Sequence, residues 1–146
     1  MKRAGFTMIE LVFVIVILGI LAAVAIPKLA ATRTDAQVSK ISTEAATLVS
    51  ELGTFYTAQG TFKGKDSDDI TNIDLKTSDH DIQNTDKLVL GDDNNNTCLE
   101  FTFNNVDDGN VTVSAANASG TVCTAVKTAT ENLQKTYNFG GSNVAY

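Results

Sequence analysis

The 146-residue chain is poor in the side chains that hold metals or carry covalent chemistry, with one histidine, His80, and two cysteines, Cys98 and Cys123. A structural zinc site takes four such ligands, so this pair alone does not make one. No nucleophile stands at a recognisable spacing from a base, and no glycine-rich loop is patterned to cradle a phosphate. The expectation is therefore a protein that is not an enzyme and has no cofactor. Basic residues are also in the minority, with 11 Lys and Arg against 17 Asp and Glu for a net charge of −6. That balance repels a phosphate backbone, so no direct nucleic acid binding is expected. Charge of either sign is missing altogether from Leu11 to Ile26, and proline occurs once, at Pro27.

What fills that gap is Val, Ile, Leu and Ala. Phe6 to Ile26, with Glu10 as its one charge, has about the twenty residues a helix needs to cross the hydrocarbon core. As the core helix of a soluble domain it would present apolar surface on every side. Lys2 and Arg3 precede the run, and positive charge stays on the cytoplasmic side, which sends the rest of the chain to the outer side of the inner membrane.

Glu10 is the residue that simple anchoring does not require. A carboxylate near the end of a membrane helix costs less than one at its centre, where insertion scales charge about 2.5–3.5 kcal/mol. It is also favoured there by the helix dipole. If the chain were cut after Gly5, the new amine of Phe6 would lie about one helical turn from Glu10. The same pair could form between neighbouring copies, each glutamate neutralising the amine of the next. The alternative is an interfacial glutamate satisfied by water and lipid headgroups.

Two residues weaken the helix. Glycine lowers helix propensity by up to about 1 kcal/mol relative to alanine, and proline removes a backbone hydrogen bond and clashes with the preceding turn. Gly19 and Pro27 therefore bracket its weakest segment. In lipid that segment stays helical, because unpaired backbone groups are expensive there.

Beyond Pro27 the chain turns amphipathic. Val38, Ile41, Ala45, Leu48, Val49, Leu52, Phe55 and Tyr56 recur at spacings of three and four, whereas Arg33, Asp35, Lys40, Glu44 and Glu51 fall largely elsewhere. This is one buried stripe on a continuing helix. Gly60 suits the left-handed position that closes a helix, so the end is expected near Ala58 or Gln59.

After Gly60 the composition shifts to Asp, Asn, Thr, Ser and Gly, and residues 60–86 read as a polar connecting loop that Ile70, Ile73 and Leu75 pin to a small domain. Strands are expected at 87–90, 98–104 and 110–115, the last two joined through the Asp-Gly of "VDDGN" as a hairpin. Three or so antiparallel strands laid on the helix stripe would bury both apolar faces. In an exported chain Cys98 and Cys123 are read first as a disulfide. Residues 124–139 are expected to form a short helix or an irregular return, leading to a terminal "GGSNVAY" that could add an edge strand. His80, in an acidic loop, is expected to be exposed. Asp92, Asn94, Asn96 and Glu100 partly follow a calcium-loop spacing, but Thr97 stands where glycine is wanted and Phe103 where the bidentate glutamate belongs. A polar turn before a strand is the expectation.

The stretch "KRAGFTMIELVFVIVILGILAAVAIP" resembles the signal sequence of type IV pilins and type II secretion pseudopilins. The likeness lies in Gly5 before the cleaved bond, Phe6 at the new terminus, Glu10 and Pro27, and it covers roughly the first third of the chain. The resemblance implies cleavage and N-methylation of Phe6 by a prepilin peptidase, with Glu10 serving assembly. It further implies assembly of the N-terminal helices into a helical filament as a homo-oligomer, driven by an inner-membrane assembly platform and its ATPase. The location implied is the bacterial inner membrane, single pass with a periplasmic head, before assembly, and a periplasmic pseudopilus or an extracellular pilus afterwards. In similar pilins helix is lost between the matching glycine and proline on assembly.

The expected fold is α+β and pilin-like. Residues 1–5 form a leader, 6–27 a transmembrane or filament-core helix, 28–59 its amphipathic continuation, 60–86 the connecting loop and 87–146 an antiparallel head with a Cys98–Cys123 bond. Two alternatives from other classes stay open: a permanently anchored single-span periplasmic binding protein, and a secreted domain released by signal peptidase near Ala25, since Ala23 and Ala25 offer a small-x-small pattern.

Overall fold

The computed structural model describes residues 5–77, 81–117 and 120–140. Two compact units divide the chain, Met1–Asp35 and Ala36–Tyr146. One helix, α1 (Met8–Gln59), contributes to both and carries Pro27 within it. Helix therefore persists through the Gly19–Pro27 segment of the isolated chain, although Pro27 has no N–H to offer the carbonyl one turn before it.

Among the described residues, nothing packs on the apolar run of the helix in the first unit. Side chains from Phe6 to Leu29 are exposed, down to Ile17 at 42% and up to Phe6 at 85%. By length and composition the helix can cross a membrane.

The second unit has a core. Ile41, Ala45, Leu48, Leu52 and Tyr56 are buried, with Val38, Val49 and Phe55 partly so, which is the stripe expected from spacings of three and four. Threonines off the stripe, among them Thr43, Thr47, Thr54 and Thr57, return their hydroxyls to the carbonyl four residues back, so a threonine-rich surface stays helical with its side-chain donors used. The helix ends at Gln59, and Gly60 follows at φ +75° with its N–H on the Tyr56 carbonyl at 2.7 Å. That left-handed position is the one glycine fills without strain.

The connecting segment is more ordered than a loop. It contains a short helix, α2 (Ser67–Ile70), and buries Phe62, Ile70 and Ile82, with Ile73 and Leu75 packed at the core margin. Thr71 donates its hydroxyl to the Glu51 carboxylate on α1. Phe62 is the junction: its ring lies 5.2 Å from Phe103 and 5.3 Å from Tyr56, centroid to centroid, edge-on or tilted as aromatic quadrupoles prefer. His80 lies outside the described residues.

The sheet has four strands where the sequence suggests three or so: β1 (Lys87–Gly91), β2 (Thr97–Asn105), β3 (Asn110–Ala115) and β4 (Thr136–Asn138), antiparallel in that order. Leu88, Leu90, Leu99, Phe101, Phe103, Val111 and Val113 form its buried face. The other face is polar, with Lys87 paired to Glu100 at 2.7 Å and Thr112 bonded to Thr136 at 2.8 Å. The fourth strand comes from Thr136–Asn138, not from the terminal "GGSNVAY", whose residues 141–146 lie outside the described ones.

The outer edge of β1 is also occupied. Lys76 donates its N–H to the Val89 carbonyl at 2.8 Å, and Thr77 Oγ1 accepts from the Val89 N–H at 2.8 Å while donating to the Lys87 carbonyl at 3.1 Å. Between β3 and β4 lies α3 (Thr121–Ala129), whose Val122, Cys123 and Val126 are buried. Cys98 at the start of β2 is bonded to Cys123.

Candidate functional site

The candidate site is the beginning of the chain. Gly5, Phe6 and Thr7 are exposed and carry no regular structure, and helix begins at Met8 rather than at Phe6. The reason is a reciprocal cap. Glu10 Oε2 accepts hydrogen bonds from the Thr7 N–H at 2.8 Å and from the Thr7 hydroxyl at 2.6 Å, and Thr7 Oγ1 accepts one from the Glu10 N–H at 3.3 Å. A threonine at the cap with glutamate three residues on satisfies two otherwise orphaned donors at once. It also sets a carboxylate where the helix dipole favours one.

Sequence reasoning gave Glu10 an amine or solvent as partner and passed over this one. The signal was legible: Thr-x-x-Glu directly before an apolar run is a helix-start signature. Oε2 takes both bonds, and Oε1 accepts none from the described residues. The cap thus leaves half of the carboxylate open at the mouth of the helix.

Neither glycine of the segment is demanded by its own chain. A Cβ built on Gly5 or on Gly19 meets no atom within 4 Å. For Gly19 the missing side chain only lowers helix propensity. For Gly5, three residues before α1, the described residues give no packing reason.

The partial calcium-loop spacing resolves into a turn. Asp92 is 3% exposed, and its Oδ1 accepts the N–H groups of Asn94 and Asn96 at 2.9 Å each while Oδ2 accepts the Asn96 side-chain amide at 2.9 Å. Burial raises the affinity of this carboxyl for its proton, but the bonds from Asn96 and Asn94 together outweigh it and hold the group below the usual aspartate range. Glu100 is engaged elsewhere, with Lys87. Among the described residues no group of three His, Cys, Asp or Glu is placed to hold a metal.

Cys98 and Cys123 are joined across a separation of 25 residues, and in the chain-entropy account closing such a loop contributes about 3 kcal/mol. The bond ties α3 to β2, away from the N-terminal segment in sequence. It belongs to the stability of the second unit.

Neither a curated protein nor a solved structure matches the chain. Residues 1–26 match the family described as the prokaryotic N-terminal methylation motif. Gly5, Phe6, Glu10 and Gly19 all fall inside the matched residues. Before its α+β second unit, the chain thus carries the N-terminal signature of type IV pilins and pseudopilins.

Proposed function

We propose that the protein is a structural pilin-type subunit, cut between Gly5 and Phe6, N-methylated on Phe6 and polymerised through α1 into a type IV pilus or a type II secretion-like pseudopilus. The observation that carries this reading is the unbroken exposure of apolar side chains from Phe6 to Leu29 on a segment that matches the methylation motif. Such a surface is stable only in lipid or against other apolar helices. Moving from one to the other keeps it out of water throughout, which lets the same residues anchor the precursor and build the polymer.

The parts then have separate roles. A prepilin peptidase reads Gly5 and Phe6, where the backbone lies outside the helix and the space around Gly5 is open. Glu10 keeps Thr7 as its intrachain partner and offers Oε1 to the amine of Phe6 on a neighbouring copy. Gly19 and Pro27 allow helix to be lost between them once neighbours pack. An inner-membrane assembly platform and its ATPase supply the work of extraction, while the polar second unit faces the periplasm or the outside.

The test is mass spectrometry of the mature N-terminus from the native host. N-methyl-Phe6 is expected. An intact Met1 would indicate a permanent anchor, and a start at Ile26 a secreted domain.

A further inference from the structure

Three stretches of the chain read Asn-x-Ser/Thr: Asn95-Asn96-Thr97, Asn110-Val111-Thr112 and Asn117-Ala118-Ser119. This pattern is the acceptor for N-linked sugars in exported proteins, provided the asparagine sits on the surface with its amide free to be presented. The structure separates the first two. Asn110 opens β3 and is partly buried, with its Nδ2 donating to Asn138 Oδ1 at 2.5 Å and its Oδ1 accepting from Asn104 Nδ2 at 2.8 Å. Its amide is part of the sheet. The Ala118 and Ser119 of the third stretch lie outside the described residues, so no site is built on it.

Asn95 differs in each respect. It stands at the tip of the β1–β2 turn, exposed and at φ +63°, a left-handed position that asparagine tolerates. Its side chain makes no hydrogen bond among the described residues; only its backbone N–H is engaged, with the Asp92 carbonyl at 3.1 Å. The Asp92 carboxylate meanwhile holds Asn94 and Asn96 on either side. The Asn96 side chain is thus drawn in, Asn94 is tied by its backbone, and the Asn95 side chain stands exposed without a bond to the described residues. The Thr97 side chain is half-buried and its hydroxyl is likewise without a bond to the described residues.

We propose that Asn95 is an N-glycan attachment site, used once the head has been exported, and in that respect resting on the function proposed above. The donor class is an oligosaccharide carried on a polyprenyl diphosphate. Asn95 Nδ2 forms a bond to the anomeric carbon, the bond from that carbon to the diphosphate oxygen breaks, the electron pair leaves with the lipid diphosphate, and Nδ2 gives up one proton to a base of the transferase. No oxidant or reductant is needed. Thr97 supplies the hydroxyl by which the transferase recognises the acceptor.

The test uses the full chain purified from its native host, with N-terminus and glycopeptide read from the same sample. All three asparagines fall in one tryptic peptide between Lys87 and Lys127, so fragmentation must keep the sugar on its residue. The expected result is an intact mass above that of the polypeptide, with the increment on Asn95. It should vanish in Thr97→Ala and in Asn95→Gly, which keeps the left-handed turn, and survive in Thr97→Ser. A processed chain with bare Asn95, a sugar on Asn110 or Asn117 alone, or one that persists in Thr97→Ala would overturn the proposal and leave the pilin reading standing. A sugar on Asn95 of a chain that still begins at Met1 would support the site and overturn the processing.

Discussion

The ring of Tyr56, in the last turn of α1, lies flat against Gly109 of the β2–β3 turn, so close that a Cβ on the glycine would come within 2.6 Å of the ring. The Tyr56 hydroxyl completes the contact by donating to the Asp107 carbonyl at 2.7 Å, and Gly109 itself has φ +64°. Gly109→Ala therefore meets both backbone strain and overpacking, and is expected to lower stability by about 2 kcal/mol or more. Tyr56→Phe, which loses only the hydrogen bond, should cost about 1 kcal/mol. Denaturant unfolding of the full chain in detergent gives the order; a larger loss in Tyr56→Phe would contradict the packing.

At the other end of α1, Thr7→Ala removes the threonine hydroxyl and its two bonds but leaves the Glu10 carboxylate on the residue 7 N–H, whereas Glu10→Ala removes the carboxylate and both bonds to it. Both variants should show faster amide exchange over Met8–Leu11 in micelles. Glu10→Ala should leave synthesis and cleavage intact and impair filament incorporation more than Thr7→Ala does. Equal impairment would place the whole effect of Glu10 on helix capping.

Gly5 has open space around it, so a bulkier residue should leave α1 unchanged. Gly5→Val is expected to abolish processing, read as retention of Met1, while the circular dichroism of the chain stays the same. Gly5→Ala is a milder probe of the same contact. Normal cleavage of Gly5→Val would remove this residue from peptidase recognition.

Cys98→Ser combined with Cys123→Ser should destabilise the second unit by about 3 kcal/mol. Reduction of the wild type should lower its melting temperature to the same extent. A melting temperature indifferent to reductant would mean that the bond is not formed in the native protein.

Asp92 has a pH signature. Its carboxyl is held below the ordinary value of about 3.9 in the folded chain, so the stabilisation is present in full above that value and lost as pH falls through the folded one. Asp92→Ala leaves the Asn94 and Asn96 N–H groups without their acceptor and should cost about 1–3 kcal/mol at neutral pH. The gap between wild type and Asp92→Ala should narrow below about pH 4. A gap constant with pH would show that the charge contributes nothing to the turn.

Much of this architecture is written in short-range patterns. The stripe from Ile41 to Tyr56 is legible because burial on one helix face imposes its own period, and the β2–β3 hairpin because Asp108-Gly109 answers a conformational demand. β4 was not, since three residues, Thr136–Asn138, are too few to show alternation. Phe62 and Ile82 were missed for a different reason: each is a lone apolar residue in a polar stretch, and only the folded chain brings them to the core. At the N-terminus the length and apolarity of the run indicate a membrane helix, whereas the Thr7 partner of Glu10 is legible only as a Thr-x-x-Glu helix start, a pattern the charges do not carry.

The strip formed by Lys76 and Thr77 along β1 has a bearing on how copies of this protein meet. Chains crowded side by side risk zipping together through exposed strand backbones, a route that leads to irregular aggregates. With both backbone groups of Val89 already spoken for, the middle of that border has no free rung for a stranger to grip, and in the filament proposed above growth would fall to the apolar helices.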